Sequence, residues 1–226
     1  MWRKLMTSAL ALFLCIEWGP LTEERQRWGI ASGDPFVREI ALTFDDDPRE
    51  RGMQELMAVL KEADVHATFF LVGKFAERYS DITLALGHAG HELANHTYTH
   101  PKLYTLWVEK IMREAERCCE VLERLEFPRT RFLRPPGGSF TLRIFNAMRR
   151  MGIKLGLWSL NSGDYTGKSA EELTRLILHG AKPGGVVLMH SGVPGTVEAL
   201  PGIVRELRAR GYRFVRLSEL WDCGVI

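Results

Sequence analysis

From Glu39 onward, short apolar runs alternate with longer segments in which apolar residues recur every three or four positions. The runs are rich in Val, Leu, Ile, Phe or Thr and have the length of strands. In the longer segments, the spacing of Met53, Leu56 and Leu60 is typical of the buried face of a helix, and Gly152 falls where a helix is expected to end. The predicted strands are 40–44, 67–72, 92–94, 131–134, 156–160, 186–189 and 213–217.

Alternating strands and helices indicate a parallel sheet with helices packed outside it. Seven predicted strands in one continuous pattern, without a Gly-rich phosphate loop, favour a barrel over a dinucleotide-binding fold. In such a barrel the functional side chains lie at the C-terminal ends of the strands. The sequence therefore predicts an α/β barrel domain over residues 39–226, with its site at that rim.

The first 38 residues differ from this pattern. Arg3 and Lys4 precede an apolar stretch over 5–16, which is shorter than the ~20 residues that span a bilayer but has the charge-then-apolar order of a signal peptide. We therefore expect a signal or membrane-anchor segment over 1–17 and a linker over 18–38. Secretion or membrane anchoring is the expected location, and a cytoplasmic location is the alternative.

Composition and charge exclude several other classes of protein. The net charge is +2 and no basic run is interleaved with aromatic residues, so a nucleic-acid-binding protein is not expected. The four cysteines lack the spacing of a zinc ribbon or a redox motif. The sequence indicates no obligatory protein partner.

Reactive side chains follow five of the predicted strands, each at the C-terminal end that parallel strands share. Scattered surface polarity does not produce such repetition, so the set as a whole predicts a site. In chain order, the residues are Asp45 and Asp46, His96 and His100, Arg134, Asp164, and His190.

Three of these side chains have the chemistry of a metal site. His96 and His100 are four residues apart, which would place both on one face of a helical turn that ends at Pro101. Two imidazoles and one carboxylate leave a coordination position open for water, as in catalytic zinc sites. Asp45 and Asp46 would point to opposite faces of a regular strand, so both reach one site only where the strand ends. One could then bind metal while the other acts as a base.

The remaining polar residues indicate acid–base chemistry. His190 follows a buried strand, and a role as general acid requires a nearby carboxylate, for which Asp164 is the leading candidate. Arg134 lies at the end of another predicted buried strand and needs an anionic partner there. Asp45 would serve as that partner.

These residues carry a resemblance to the polysaccharide deacetylase family, also called the NodB homology domain or carbohydrate esterase family four. The resemblance covers roughly residues 40–220. The first two family motifs, in this order and separation, are highly specific, whereas the last is weak alone. The resemblance implies a distorted (β/α) barrel with about seven parallel strands. The five motifs correspond to 43–48 (TFDDDP), 96–100 (HTYTH), 134–138 (RPPGG), 158–165 (WSLNSGDY) and 188–190 (LMH).

The family's activity implies a metal-dependent hydrolase that removes N-acetyl groups from an N-acetylated polysaccharide and releases acetate. The implied substrate is peptidoglycan or a chitin-like glycan. Zn²⁺ is the expected ion, with Co²⁺, Mn²⁺ or Ni²⁺ as alternatives. The implied metal ligands are Asp46, His96 and His100.

The resemblance also implies roles for the other motif residues. Asp45 would be the catalytic base and Arg134 would hold it in place, while His190 would be the acid, paired with Asp164. A backbone N–H near Gly137 would stabilise the oxyanion, and Leu188 would line the pocket for the acetyl methyl group. Tyr165 is a candidate aromatic platform for the sugar, as are Tyr98, Tyr104 and Trp107.

Three departures from the family pattern affect the expected substrate more than the expected activity. Asp47 stands where the family usually has Gly, and it adds negative charge close to the metal. Gly137 stands where an aromatic residue is common, which removes one wall of the groove. In the fourth motif, Ser159 and Asn161 replace acids, and Tyr165 replaces a frequent Trp.

Three alternative functions stay open on the sequence alone. Two histidines and a carboxylate also define non-haem iron oxygenase sites, but the separate base, acid and arginine fit hydrolysis better. A hydrolase of small cyclic amides or of another N-acyl group is the second alternative. The third is a catalytically silent barrel that binds glycan without turning it over.

Overall fold

The protein is described by a computed structural model over residues 29–46 and 50–222. The predicted signal segment over 1–17, most of the predicted linker, and Asp47 lie outside these residues. Within the described residues, no helix combines the length and the apolar character that a membrane crossing requires.

Strands and helices alternate along the described residues, with short 3₁₀ turns at Leu103–Thr105, Pro136–Gly138 and Asp164–Thr166. The strands are β1 Gly29–Ile30, β2 Glu39–Asp46, β3 Thr68–Leu71, β4 Glu92–Asn95, β5 Phe132–Leu133, β6 Lys154–Gly156, β7 Leu160–Asn161, β8 Gly185–His190 and β9 Arg213–Phe214. The helices are α1 Glu50–Glu62, α2 Gly73–Arg78, α3 Ser80–His88, α4 Val108–Arg124, α5 Leu142–Met151, α6 Ala170–Gly180, α7 Pro194–Ala209 and α8 Leu217–Asp222.

The strands form one parallel sheet in the order β1-β6-β5-β4-β3-β2-β8-β7, with β9 paired to the start of β2. The sheet curls into a distorted (β/α) barrel that is open, because its end strands β1 and β7 do not pair with each other in the described chain. The predicted fold class is therefore confirmed. Since the paired strands run in one direction, their C-terminal ends meet at one rim of the barrel.

Side chains along each strand alternate between two environments, as the period of two requires. On β2, Leu42 and Phe44 belong to the outer core beneath α1, α6 and α7. The inner side carries Ala41, which belongs to the interior core together with apolar residues of α8. Thr43 and Asp45 follow Ala41 on this inner side and are buried. Apolar side chains thus fill the interior at the start of the strands, and polar side chains occupy the end at the rim.

Signals for helix ends are found where the sequence predicts them. Ser169 and Glu172 form a capping box at the start of α6, in which each side chain accepts a hydrogen bond from the other's backbone N–H. Gly152 follows α5 with a φ of +69°. Glycine adopts this left-handed conformation without the strain that a side chain would add.

The predicted strand over 156–160 is wrong. β6 ends at Gly156 and pairs with β5, whereas β7 begins at Leu160 and pairs with β8, near the other end of the sheet. The carbonyl oxygens of Gly156, the last residue of β6, and of Leu157 directly after it accept hydrogen bonds from the Arg134 side chain, each at 2.9 Å. A buried arginine, which periodicity cannot reveal, therefore organises this segment.

Two predicted boundaries also differ from the structure. β1 pairs with β6, and Gly33 donates its N–H to the Gly184 carbonyl oxygen at 2.7 Å, so residues 29–38 of the predicted linker form part of the barrel. At the other end, the predicted strand over 213–217 is shorter, because β9 stops at Phe214 and Leu217 begins α8.

Candidate active site

The end of β2 brings two consecutive acids into one site. Asp45 is buried, with 5% of its surface exposed. Asp46 has a φ of +87°, in a region that residues other than glycine rarely adopt, so the regular alternation of the strand stops there. As a result, Asp45 Oδ2 lies 3.7 Å and Asp46 Oδ1 lies 3.8 Å from the same atom, His96 Nε2.

His96 and His100 reach this place by a route that the sequence analysis did not predict. The predicted helical turn is wrong, because residues 96–100 form an irregular loop after β4. Thr97 and His100 both have positive φ angles, of +66° and +62°. The two histidine rings nevertheless lie close together, with centroids 4.9 Å apart.

Asp46, His96 and His100 form a candidate metal site. One ligand atom of each residue lies within 4.8 Å of the others. His96 Nδ1 lies 2.8 Å from the Arg134 carbonyl oxygen, which can only accept, so the proton is on Nδ1 and Nε2 presents a lone pair. Burial lowers the pKa of His96 and favours the neutral ring that binds a cation. This donor set fits a divalent ion with an open coordination position.

Arg134 is fully buried and holds Asp45. Its Nη1 donates to Asp45 Oδ1 at 2.7 Å and to Thr43 Oγ1 at 2.9 Å, while Nε and Nη2 donate to the main-chain carbonyls between β6 and β7. Burial lowers the pKa of Arg134, and the charge of Asp45 opposes that effect. The buried charge therefore has hydrogen-bond partners at each of its nitrogens, as its burial requires.

His190 lies at the end of β8, in register with Asp45 on β2. His190 Nδ1 lies 2.7 Å from Asp164 Oδ1, and the His190 backbone N–H donates to Asp164 Oδ2 at 2.8 Å. Burial acts to lower the pKa of His190, but the hydrogen bond and the charge of Asp164 outweigh it and raise the pKa. The arrangement therefore stabilises the protonated ring.

Asp164 is itself held by several donors. Thr196 of α7 donates its hydroxyl to Asp164 Oδ2 at 2.7 Å, and the Tyr165 backbone N–H donates to Oδ1 at 3.0 Å. Burial acts to raise the pKa of Asp164, but hydrogen bonds from His190 and Thr196 outweigh it and lower the pKa. The carboxylate is therefore fixed in its charged form as the partner of His190.

The three residues predicted to bind substrate differ in their environments. Gly137 lies in the turn after Arg134 with a φ of +65°, and a Cβ built on it would meet nothing within 4 Å. Leu188 is almost completely buried on β8, in register with Thr43. Tyr165 is 62% exposed, and its ring lies edge-on to His190 with centroids 5.0 Å apart.

Four further residues hold site residues in place, although the sequence predicted no role for them. Two of them could have drawn attention by their position, because Thr43 lies within the first motif and Asn95 directly precedes the second. The other two lie on helices, where an isolated polar residue is usually solvent-exposed and gives no local signal. The four residues are Thr43, Asn95, Glu114 and Thr196.

Comparison with known proteins identifies the family of this chain. The family model for polysaccharide deacetylase matches residues 33–156, which is more than half of the chain. The chain belongs to the polysaccharide deacetylase family. All residues of the candidate metal site, and Asp45 and Arg134, lie within the matched region.

One relative and one solved structure are each similar to this chain over most of their own length. A peptidoglycan-N-acetylglucosamine deacetylase of Bacillus cereus is 32% identical over 202 residues, which covers 87% of this chain and 74% of the relative. A solved structure of a peptidoglycan N-acetylglucosamine deacetylase in complex with 4-naphthalen-1-yl-N-oxidanyl-benzamide has a TM-score of 0.85 at 31% identity. It covers 92% of this chain and 97% of its own.

A second similar structure is a pseudoenzyme of carbohydrate esterase family four from Bacillus anthracis. Its TM-score is 0.80 at 27% identity, and the match covers 88% of this chain and 70% of that chain. Members with and without activity therefore share this barrel. The arrangement of the site residues, more than the fold, has to support a catalytic function.

Proposed function

We propose that this protein is a metal-dependent polysaccharide N-deacetylase that hydrolyses N-acetyl groups on a glycan and releases acetate. One observation carries the proposal. Three cation-binding atoms, a carboxylate held by a buried arginine, and a histidine paired with a second carboxylate converge at one rim of the barrel. Hydrolysis of an amide requires those three functions: activation of the carbonyl, a base for water and an acid for the amine.

Asp46, His96 and His100 would hold the ion. When bound there, a divalent cation would polarise the acetamide carbonyl and lower the pKa of a water molecule. We propose Zn²⁺, because two imidazoles and a carboxylate are a common ligand set of catalytic zinc. Co²⁺, Mn²⁺ and Ni²⁺ accept the same donors and are the alternatives.

Asp45 is the proposed base. Its Oδ1 is bonded to Arg134 at 2.7 Å, whereas its Oδ2 faces His96 Nε2 at 3.7 Å. Oδ2 is therefore the oxygen that would take a proton from the attacking water. Arg134 keeps the carboxylate in this orientation and compensates its charge inside the barrel.

His190 is the proposed acid. Because its Nδ1 is bonded to Asp164, Nε2 is the atom that would give a proton to the leaving nitrogen as the carbon–nitrogen bond breaks. The products would be acetate and a free amine on the sugar. Asp164 Oδ1 orients the ring and favours its protonated form, while the His190 backbone N–H and the Thr196 hydroxyl hold the carboxylate through Oδ2.

The substrate-binding residues complete the proposal. Gly138 already donates its N–H to the Pro135 carbonyl oxygen at 2.9 Å, so the N–H of Gly137 is the proposed donor to the oxyanion. Leu188 would contact the acetyl methyl group, and Tyr165 would pack against the sugar. The open space beside Gly137 would leave room for a bulky glycan.

For the glycan itself, we propose the N-acetylglucosamine units of peptidoglycan. The support is that the similar proteins include a peptidoglycan-N-acetylglucosamine deacetylase of Bacillus cereus and a solved structure of that name. Such a substrate lies outside the cell membrane, in agreement with the predicted N-terminal export or anchor segment. That segment, and the location that follows from it, stay predictions.

Acetate release tests the proposal directly. Peptidoglycan, chitin-like N-acetylglucosamine oligomers and a small cyclic amide are each incubated with the enzyme, with and without a chelator. We expect release from peptidoglycan that stops with the chelator and returns with Zn²⁺. If the oligomers or the cyclic amide are hydrolysed in preference to peptidoglycan, peptidoglycan is not the substrate and the preferred compound identifies the substrate class. Asp45→Asn should keep the ion and lose about 10²- to 10⁴-fold in turnover, and full turnover in this variant would remove Asp45 from the mechanism.

The likeness to a pseudoenzyme favours one second candidate, a barrel that binds glycan without hydrolysing it. The two candidates differ in a single measurement. If the protein contains metal and binds peptidoglycan but releases no acetate from any N-acetylated glycan, the silent barrel is correct.

A further inference from the structure

The loop that carries both candidate histidine ligands has an unusual backbone. Thr97 and His100 adopt positive φ angles, although neither is glycine and Thr97 is β-branched, which makes this conformation unfavourable. Such a conformation persists only where the surrounding structure imposes it. The groups that impose it therefore determine where the His96 and His100 rings lie.

Glu114 of α4 holds the middle of this loop. Its Oε2 accepts the backbone N–H groups of Tyr98 at 3.2 Å and Thr99 at 2.8 Å. Its Oε1 accepts the Thr99 hydroxyl at 2.9 Å. Hydrogen bonds to a carboxylate are stronger than those between neutral groups, so one side chain fixes two consecutive peptide units between the histidines.

The two ends of the loop are connected to the same part of α4. Asn95 is completely buried, and its Nδ2 donates to the Ala115 carbonyl oxygen at 2.7 Å while its Oδ1 accepts the Thr97 N–H at 2.7 Å. Thr97 Oγ1 in turn accepts the His100 N–H at 3.1 Å. Adjacent residues 114 and 115 of α4 thus hold the loop from the end of β4 to His100.

We propose that Glu114 is a positioning residue for the metal site, which acts by fixing the loop that orients His96 and His100. This inference rests on the proposed metal site but not on the identity of the glycan. Groups that orient metal ligands typically contribute about 10- to 100-fold to metal affinity or activity. Glu114 should contribute in this range, although its oxygens bind the loop rather than the ion.

Cobalt binding to metal-free protein tests the proposal without using turnover. Co²⁺ is titrated into the wild type, Glu114→Ala, Glu114→Gln and Glu116→Ala, and its visible absorption reports coordination. We expect Glu114→Ala to weaken binding by about 10- to 100-fold. Glu114→Gln should recover most of the affinity, because its amide oxygen can still accept the two backbone N–H groups.

Glu116→Ala is the matched control. It removes the same charge from the same helix, but Glu116 is paired with Arg129 and not with the loop. Its Co²⁺ affinity should equal that of the wild type. An equal loss in Glu116→Ala and Glu114→Ala would show a general effect of charge and would overturn the proposal.

Two further results separate the outcomes. A second variant, Thr99→Val, removes only the hydrogen bond from the Thr99 hydroxyl to Glu114. It should weaken Co²⁺ binding less than Glu114→Ala does. If Glu114→Ala does not fold, Thr99→Val is measured in its place. If a folded Glu114→Ala protein binds Co²⁺ as tightly as the wild type, Glu114 has no positioning role, although the proposed metal site still stands. Where Thr99→Val replaces Glu114→Ala, the same result in Thr99→Val has the same meaning. If the wild type binds none of Zn²⁺, Co²⁺, Mn²⁺ and Ni²⁺, the proposed metal site itself is refuted.

Discussion

A histidine flanks β4 at each end, and the two rings differ in how their nitrogens are hydrogen-bonded. His91 precedes the strand, His96 follows it, and both are buried. His91 Nδ1 accepts the Ala67 backbone N–H at 3.2 Å, which places its proton on Nε2. His96 Nδ1 instead donates to the Arg134 carbonyl oxygen, so its Nε2 lone pair faces the acids. The lone pair of His91 accepts a main-chain N–H, whereas the lone pair of His96 is available to a ligand.

β5 repeats this contrast with arginine. Arg131 precedes the strand and is paired with exposed Asp222, at 2.7 and 3.0 Å. Arg134 follows the strand, is fully buried and is paired with buried Asp45. Residue type alone therefore does not distinguish a structural group from a functional one. The end of the strand at which the residue lies, and the direction in which its polar atoms point, make the distinction.

Replacement of the two histidines should give the largest difference between the two ends. His96→Gln removes a proposed metal ligand, so Co²⁺ affinity should fall by more than the ~10- to 100-fold effect typical of groups that only orient a ligand, and acetate release should fall with it. His91→Gln should bind Co²⁺ like the wild type. Titration of both metal-free variants checks this, and equal losses at the two positions would contradict the comparison.

Replacement of Arg131 and Arg134, at the two ends of β5, should lower the free energy of unfolding by different amounts. Arg134→Met leaves Asp45 buried without its partner, which should lower the free energy of unfolding by about 3–5 kcal/mol. Arg131→Met breaks an exposed ion pair and should lower it by less than about 1 kcal/mol. Urea unfolding of the metal-free proteins measures both values. A similar small loss in both variants would mean that burial does not distinguish the two arginines.

The pH dependence of turnover should depend on the pairing at the rim. Asp164 raises the pKa of His190, and a general acid must be protonated, so kcat should fall as the pH rises through that pKa. Asp164→Asn removes the charge that favours the imidazolium. The fall should then begin at lower pH, and kcat should decrease by up to about 100-fold. Asp222→Asn, which changes an acid at the opposite end of the barrel, should leave the profile unchanged. An unshifted profile for Asp164→Asn would contradict the assigned partner of His190.

The sequence alone predicted the barrel and the rim because both follow from local regularities. Short apolar runs rich in Val, Leu, Ile, Phe or Thr mark the strands, and Asp45 and Asp46 stand directly after such a run. The convergence of Asp46, His96 and His100 required only that parallel strands end together. The same rule placed His190 beside Asp45.

Periodicity could not predict features that distant side chains impose. Residues 96–100 have helical spacing but no helical conformation, because Asn95 holds a left-handed Thr97 and Glu114 binds the next two backbone N–H groups. The segment over 156–160 has the composition of one strand, yet Arg134 binds two of its carbonyl groups and the strand is split. In both cases, hydrogen bonds between residues far apart in sequence outweigh local preference.

The smallest expected effect concerns the contribution to stability of His91, at the N-terminal end of β4. Burial, and to a lesser extent the charge of His66, lowers the pKa of His91 to about 4, from 6.5 for an unperturbed histidine. The unfolded chain therefore binds the proton more readily than the folded one. The contribution of neutral His91 is fully present above pH 6.5 and is lost as the pH falls towards 4.

Between pH 7 and pH 5, this difference corresponds to about 1–2 kcal/mol of unfolding free energy. His91→Gln keeps an acceptor for the Ala67 N–H but cannot titrate, so its stability should decrease less than that of the wild type over this range. Urea unfolding of both metal-free proteins at the two pH values gives the difference, and groups that titrate elsewhere cancel in the comparison. Parallel losses in the two proteins would mean that His91 is protonated without a penalty. The N-terminal end of β4 would then tolerate a charged histidine as readily as the rim does. The contrast between His91 and His96 would be limited to metal binding.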